Sequence, residues 1–281
     1  MNDKEFFNTV LGLMARQPWI SDKAEALSFL LFEECPCIES REMIVNIISS
    51  FFYLNSAKYM QSIDALANEL VVEGHDPERT QLVAMAAGND SDSSQSVLYD
   101  LKWRLTSRGW KNFKGVNNFG KIYKEYSRSG HDNIVLVDDF VGSGQTVISR
   151  NSTVCRVFKE QNIKNYNLTF KVLVATEAGL NAVQNAGIRI SAQHIIRKAI
   201  DDYYPEHIAE KYRALMTALE EKLSKKINDI ELPSLGYNSA QAAYCRERSN
   251  TPNSVFPVFW WPENNLNESR ETLLHRSMGD V

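Results

Sequence analysis

The sequence is short of several things that would place it quickly. It holds four cysteines in 281 residues, Cys35, Cys37, Cys155 and Cys245, too few and too scattered for a disulfide framework in a chain of this length. Cys35 and Cys37 flank a proline, and a C-x-C pair with no second Cys or His pair beside it makes a poor zinc site. The thiols therefore read as structural. None of the five histidines has a partner at ligand spacing, which argues against a histidine-built metal centre. No apolar run approaches the ~20 residues of a spanning helix, and the opening residues Asp3, Lys4 and Glu5 lack a signal-peptide pattern. The expectation is a cytoplasmic protein with no membrane contact. A formal net charge of −4 leaves no global electrostatic footprint for nucleic acid. A local basic patch, and with it direct nucleic-acid binding, stays open. No internal repeat is apparent.

What is present is an ordinary globular composition, 43% hydrophobic and 23% charged, without the charge excess or low complexity of a disordered chain. Residues 1–77 read as a helical N-terminal region. Phe6, Val10, Leu13 and Met14 fall at helical spacing, Ile44 to Leu54 is a second apolar segment, and Met60, Ile63, Leu66, Ala67 and Leu70 form a third that stops before Gly74. The polar face is not basic, which disfavours a DNA-reading helix-turn-helix.

From residue 78 to 204 the pattern changes to strand, small polar loop and helix, repeated. Leu82–Ala87 leads through the loop Gly88–Ser96 to a helix carrying Val97, Leu98, Leu101 and Leu105. Ile134–Phe140 leads through Val141–Gln145 to a helix carrying Val147, Val154, Val157 and Phe158, and Leu168–Thr176 leads to a helix with Leu180 and Val183 before a further strand, Ile188–Ile196. Such alternation predicts an α/β fold with an open, mostly parallel sheet, in which ligands gather at the carboxyl ends of the strands. The stripe Ile208, Tyr212, Leu215, Leu219, Leu223 and Ile227 predicts one long amphipathic helix within 205–232. Residues 233–265, rich in Gly, Asn, Pro and aromatics, form a separate segment, and 266–281 read as a polar tail.

The chemistry is concentrated in "NIVLVDDFVGSGQTVISR", Asn133 to Arg150. A continuous β-branched run is a strand buried on both faces, and Asp138 and Asp139 sit where it leaves the sheet. Gly142, Ser143 and Gly144, entering a helix at Thr146, offer backbone N–H groups and the positive end of a helix dipole, which suits a phosphate. Carboxylates accept hydrogen bonds from paired hydroxyls or hold a hydrated Mg²⁺. Together the two halves match a ribose 5-phosphate. A P-loop is disfavoured because no Gly-Lys-Ser/Thr follows, and a dinucleotide fingerprint because its glycine spacing is absent.

This motif, Val135 to Thr146, resembles the phosphoribosyl pyrophosphate (PRPP) signature of type I phosphoribosyltransferases. The closing pattern "GYNSAQAAY…NTPNSVFPVFWW" and the Ser-rich first loop are similar to the phosphoribosyltransferase-like proteins of bacterial conflict systems, candidate anti-phage effectors found beside modules such as retron reverse transcriptases. The resemblance implies that Asp138 and Asp139 contact ribose hydroxyls, and Mg²⁺ either directly or through those hydroxyls or water. It implies that Val141, Gly142, Ser143, Gly144, Gln145 and Thr146 bind the 5-phosphate, and that Asp92, Ser93, Ser94 and Ser96 form the loop that grips pyrophosphate. The usual lysine or arginine of that loop is missing, although Lys102 and Arg104 follow in sequence. Trp110 to Asp132, with Lys111, Lys114, Lys121, Lys124 and Arg128, lies where many members carry a lid.

Gln241, Asn250, Thr251 and Asn253 have base-edge chemistry and, with Tyr237, Phe259, Trp260 and Trp261, form a candidate acceptor hood. Thr176, Glu177 and Lys171 are further candidates for purine-type contacts. Three roles stay open. One is an effector enzyme that transfers or cleaves a ribose-phosphate group at C1, with a toxic outcome. The second is a non-catalytic sensor of PRPP or a nucleotide. The third is a scaffold docking a reverse transcriptase with its structured RNA or DNA, or another defence-system subunit.

Overall fold

The computed structural model describes residues 3–88 and 92–278; the middle of the expected loop Gly88–Ser96, the end of the expected tail and the side chain of Phe6 lie outside the described residues. Along the chain, helices α1 (Asp3–Arg16), α2 (Ala24–Phe29) and α3 (Ile38–Ser49) precede a short strand β1 (Phe52–Leu54) and helix α4 (Ser56–Val72). Strand β2 (Thr80–Ala84), helix α5 (Ser93–Ser107), strand β3 (Lys114–Val116) and helix α6 (Ile122–Ser129) follow. Next come β4 (Asn133–Val141), α7 (Gln145–Glu160), β5 (Asn167–Thr176), α8 (Glu177–Asn185) and β6 (Ile190–Ile196). The chain closes with α9 (Glu206–Glu220), the hairpin β7 (Lys226–Ile227) and β8 (Ile230–Glu231), and β9 (Tyr244–Arg246).

Two compact units result, one made of 56–195 and the other of 1–55 with 196–281. The first holds a five-stranded parallel sheet in the order β3-β2-β4-β5-β6, the architecture the alternating pattern predicts. The central strands β2, β4 and β5 are buried along most of their length because both their faces are covered. One face buries Leu136, Phe170 and Val172 against Val147, Val154 and Phe158 of α7 and Val183 of α8. On the other face Lys171 of β5 is only 4% exposed and its ammonium pairs with Glu69 of α4 at 2.6 Å and with Glu73 just beyond that helix. These ion pairs tie α4 to the sheet unit, whereas the sequence pattern groups it with the N-terminal helices. They also occupy Lys171, removing it from the candidates for purine contact.

The second unit is assembled from both ends of the chain: β1 pairs in parallel with β9, Tyr53 opposite Cys245. Trp260, Trp261 and Phe259 are buried core residues, with the Trp260 indole donating to the Val255 carbonyl at 2.9 Å and that of Trp261 to Ser224 Oγ at 2.9 Å. Of the four aromatics expected in a hood, only Tyr237 is substantially exposed, at 44%. The expected polar tail is partly core: Leu273 and Leu274 are buried, and Arg270 makes a bidentate pair with Glu34, Nε to Oε1 at 2.6 Å. The helix expected through Ile227 ends at Glu220. Asn228, at φ 52°, turns the chain between Ile227 and Ile230, the hairpin chemistry of an Asn-Asp pair. All four cysteines are free, and burial pushes the Cys245 thiol up to about 12.

One buried acid in this unit gives it a pH dependence. Glu220, 1% exposed, accepts from Ser234 Oγ at 2.6 Å and from the Leu235 amide at 3.0 Å, and burial raises its pKa from 4.5 to about 7. The folded state holds this proton where the unfolded chain has lost it, so the contribution is complete below pH 4.5 and is lost as pH rises towards about 7. Glu220→Gln is expected to flatten the fall in stability across that interval, by up to about 3 kcal/mol. Thermal melts in a pH series check this, and an unchanged slope in the variant rejects it.

Candidate functional site

The sheet unit brings the two polar loops together at the carboxyl ends of β2 and β4. Successive strand residues start towards opposite faces, yet the Asp138 side chain turns back onto Asp139. Asp139, 6% exposed, accepts from Ser93 Oγ at 2.7 Å, which joins the acidic pair to the first loop through the start of α5. Asp138 shares a face with its ladder partner Val172, the face covered by α7, and its Oδ1 accepts from the Asp139 amide at 2.8 Å. Burial first, then the charges of Asp139 and Asp92, hold the Asp138 carboxyl well above the usual carboxylate range. A carboxyl whose charged form is disfavoured in this way is one that an incoming cation would relieve.

Past β4 the chain turns through Gly144, at φ 79°, into the 16-residue helix α7, which has no side-chain cap. Ser143 Oγ reaches only the Gln145 amide, at 3.5 Å. The first-turn amides therefore present the positive end of the dipole, with Gln145 and Thr146 exposed and Ser143 half-buried beside them. Val141 is buried and anchors the loop. The loop rests on α8: Thr176 Oγ1, the cap of that helix, donates to the Gly142 carbonyl at 2.5 Å and accepts from the Gly179 amide at 2.9 Å. A Cβ on Gly144 would stand 2.7 Å from the Gly179 carbonyl oxygen and 2.8 Å from Val183. Glycine is required there by the neighbouring helix and the positive φ, and not by ligand approach alone.

The residues expected to grip pyrophosphate are largely spent on the helix they precede. Asp92 caps α5, accepting from the Ser94 amide at 2.8 Å and from Ser94 Oγ, while Ser94 Oγ also accepts from the Ala86 amide at 3.1 Å. Ser94 is buried; Ser96 is exposed. The expected lid, 110–132, is built into the fold as β3 and α6, with Trp110, Val116 and Ile122 buried and Arg128 paired with Glu125 at 2.6 Å. Its apolar positions hold it to the sheet.

The hood candidates belong to the other unit. Gln241, 1% exposed, accepts from the Asp201 amide at 3.0 Å. Thr251 is buried and donates to the His275 carbonyl at 2.6 Å. Asn250 accepts from the Ser277 amide at 2.8 Å, and Asn253 is exposed. Gln241 and Thr251 thus serve their own unit's packing.

Sequence reasoning missed Thr176 and Gly179 as the floor of the turn at 142–144, and Arg150. The last lies on α7, its Nε donating to the Met85 carbonyl at 3.4 Å and its guanidinium 4.3 Å from the Phe119 ring centroid. Thr176 and Gly179 leave one local trace, a cap residue followed three positions later by a residue with no side chain. Arg150 leaves none, since its partners lie 65 and 31 positions upstream. Among the described residues no cluster of three or more His, Cys, Asp or Glu forms a ready-made metal site. One or two carboxylates completed by substrate phosphates is the usual arrangement for Mg²⁺, and Asp138 and Asp139 fit that donor set. No described helix is long and apolar enough to cross a membrane.

A family model described as PRTase-CE matches residues 34–276. Among solved structures, the chain is similar to the orotate phosphoribosyltransferase from Aeropyrum pernix, at 21% identity over 50% of this chain and 71% of that one, with a TM-score of 0.30. It is similar also to the xanthine-guanine-hypoxanthine phosphoribosyltransferase of Helicobacter pylori, at 11% identity over 52% and 83%, TM-score 0.31. A third is the hypoxanthine-guanine phosphoribosyltransferase of Schistosoma mansoni in complex with IMP, at 11% over 50% and 65%, TM-score 0.32. No curated protein matches the chain.

Proposed function

Because this chain belongs to the PRTase-CE family, of type I phosphoribosyltransferase-like proteins, we propose that the end of its sheet binds a ribose-phosphate ligand, PRPP or a nucleotide, and acts at C1. The observation that carries the reading is the uncapped start of α7 beside the acidic pair of β4. The open amides of α7 and the hydroxyls of Ser143 and Thr146 hold the 5-phosphate. Asp138 and Asp139 take the ribose hydroxyls and orient C1 for attack. As a bound nucleophile forms its bond to C1, the C1–O bond to the diphosphate, or in a nucleotide the C1–N bond to the base, breaks and that group departs with the bonding electrons. Magnesium would supply charge neutralisation on the diphosphate.

Beyond the site, we place the protein in the cytoplasm as an effector of an anti-phage defence system, on the likeness of its closing segment to that group. Its acceptor would be a base, a nucleotide or a nucleic-acid group, and its partner a retron-type reverse transcriptase with structured nucleic acid or another defence-system subunit. A second reading, a sensor that binds without turnover, is favoured by one observation: Asp92 and Ser94 are engaged as helix caps.

Calorimetric titration of the purified chain with PRPP, with and without Mg²⁺, tests the site. Magnesium-dependent binding is expected, and absence of binding to PRPP, ribose 5-phosphate and nucleoside monophosphates alike rejects it. Pyrophosphate release in the presence of candidate acceptors separates enzyme from sensor. Phage challenge of cells expressing the native system, compared with an Asp138→Asn, Asp139→Asn version, tests the defence role.

A further inference from the structure

We propose that Arg150 supplies the positive charge missing from the first loop and grips the diphosphate of PRPP; the assignment rests on the ribose-phosphate reading above. Of the two cations nearest that loop in sequence, one is paired and the other lies exposed along β3. Arg104 pairs with Asp64 at 2.8 Å and lies 4.2 Å over the Trp103 ring. Lys102 lays its stem against Gly115, where an added Cβ would meet its Cδ at 3.3 Å.

Arg150 is placed differently. It follows Val147 by three residues and precedes Val154 by four, both buried against the sheet, so helical spacing puts it on the sheet-facing side of α7. Its Nε reaches the Met85 carbonyl, one residue past β2, where the first loop begins. Its guanidinium lies over Phe119, whose amide donates to the Ala86 carbonyl at 3.1 Å in that same loop. Burial lowers its pKa, opposed by Asp92 at the head of α5 and Asp138 of β4. One side chain is thus held at the junction of the first loop, the acidic pair and the segment after β3.

Held there, it is not consumed. Among the described residues Arg150 makes no ion pair, and its two Nη groups make no hydrogen bond. A half-buried guanidinium fixed at Nε and stacked on one face presents its remaining planar fork ready-made, the geometry suited to a phosphate or diphosphate. The position also explains why the first loop can use Asp92 and Ser94 as helix caps and carry no basic residue of its own.

The test separates diphosphate from ribose phosphate. Wild type, Arg150→Lys and Arg150→Ala are titrated with PRPP, inorganic pyrophosphate and ribose 5-phosphate at fixed Mg²⁺, with Tm recorded for each. Arg150→Ala is expected to weaken PRPP and pyrophosphate by about 100-fold while ribose 5-phosphate stays within about threefold, and Arg150→Lys is expected to recover part of the loss. A residue that only braces the loop would move all three ligands together. Equal losses for PRPP and ribose 5-phosphate, or unchanged PRPP affinity in Arg150→Ala, overturns the assignment. If wild type binds ribose 5-phosphate but neither diphosphate ligand, the assignment fails and the ribose-phosphate reading survives. If wild type binds none of them, that reading fails and takes the assignment with it.

Discussion

Replacing Asp138 and Asp139 together by asparagine is expected to lower magnesium-dependent PRPP affinity by at least about 100-fold while leaving Tm unchanged or slightly raised. The expectation of an intact fold follows from the hydrogen bonds. Ser93 Oγ donates to Asp139 and the Asp139 amide donates to Asp138, and an amide oxygen accepts both. Neutralising Asp138 also removes a charge that its surroundings disfavour, since burial and the charges of Asp139 and Asp92 raise its pKa.

A carboxyl raised above its unfolded value of 3.8 binds its proton more tightly in the folded state, so its contribution to stability is full below 3.8 and falls as pH climbs through the folded value. Binding a ribose and a cation demands the ionised form, so wild-type affinity is expected to rise with pH, with a proton released on binding. Titrations in two buffers of different ionisation enthalpy measure that proton. Equal heats in both buffers, or a double variant that binds as wild type does, would remove the pair from the site.

Gly179→Ala is expected to have a comparable effect on affinity through a different cause, and to cost stability as well. A Cβ at Gly179 would overlap the Gly142 carbonyl oxygen and come within 3.0 Å of Thr176 Oγ1. None of these atoms is the yielding end of a long side chain. The first turn of α8 and the loop ahead of α7 must separate, breaking the Thr176 to Gly142 hydrogen bond and moving the amides that would hold a phosphate. Overpacking of this kind costs about 1–3 kcal/mol, or roughly 3–10 °C in Tm for a chain of this size, and ribose 5-phosphate affinity is expected to drop about 100-fold. The two variants differ in kind, since the aspartate pair changes chemistry on an intact frame and the glycine changes the frame. A Gly179→Ala protein with wild-type affinity and Tm would show that the contact is not rigid.

The contrast marks what a sequence can carry. The strand, the acidic pair and the glycine turn before α7 were legible because hydrophobic runs, loops and helix starts leave local patterns within a dozen residues. The same local logic extended the stripe Leu215, Leu219, Leu223 and Ile227 into one helix, because Leu223 and Ile227 are indeed buried. The Asn228-Asp229 turn between two isoleucines outweighs that periodicity. Allegiance between distant segments was not legible. The link between Lys171 and Glu69 spans 102 positions and that between Arg270 and Glu34 spans 236, and only the folded chain reveals them. The aromatic run ending in Trp260 and Trp261 carries the composition of a binding surface, yet each indole nitrogen meets a partner inside its own unit, and composition alone does not tell the two apart.

The pairing of β1 with β9 sets an order of events during synthesis. Residues 56–195 are contiguous and can fold as soon as they leave the ribosome. Phe52 must wait for Tyr244, about 190 residues later, roughly 10–40 s at ordinary elongation rates. Through that interval the apolar faces of α1 to α3 stand without the C-terminal half of their core. The nascent chain therefore holds a completed sheet unit while the other is unfinished, and the unfinished part is where a chaperone would bind first.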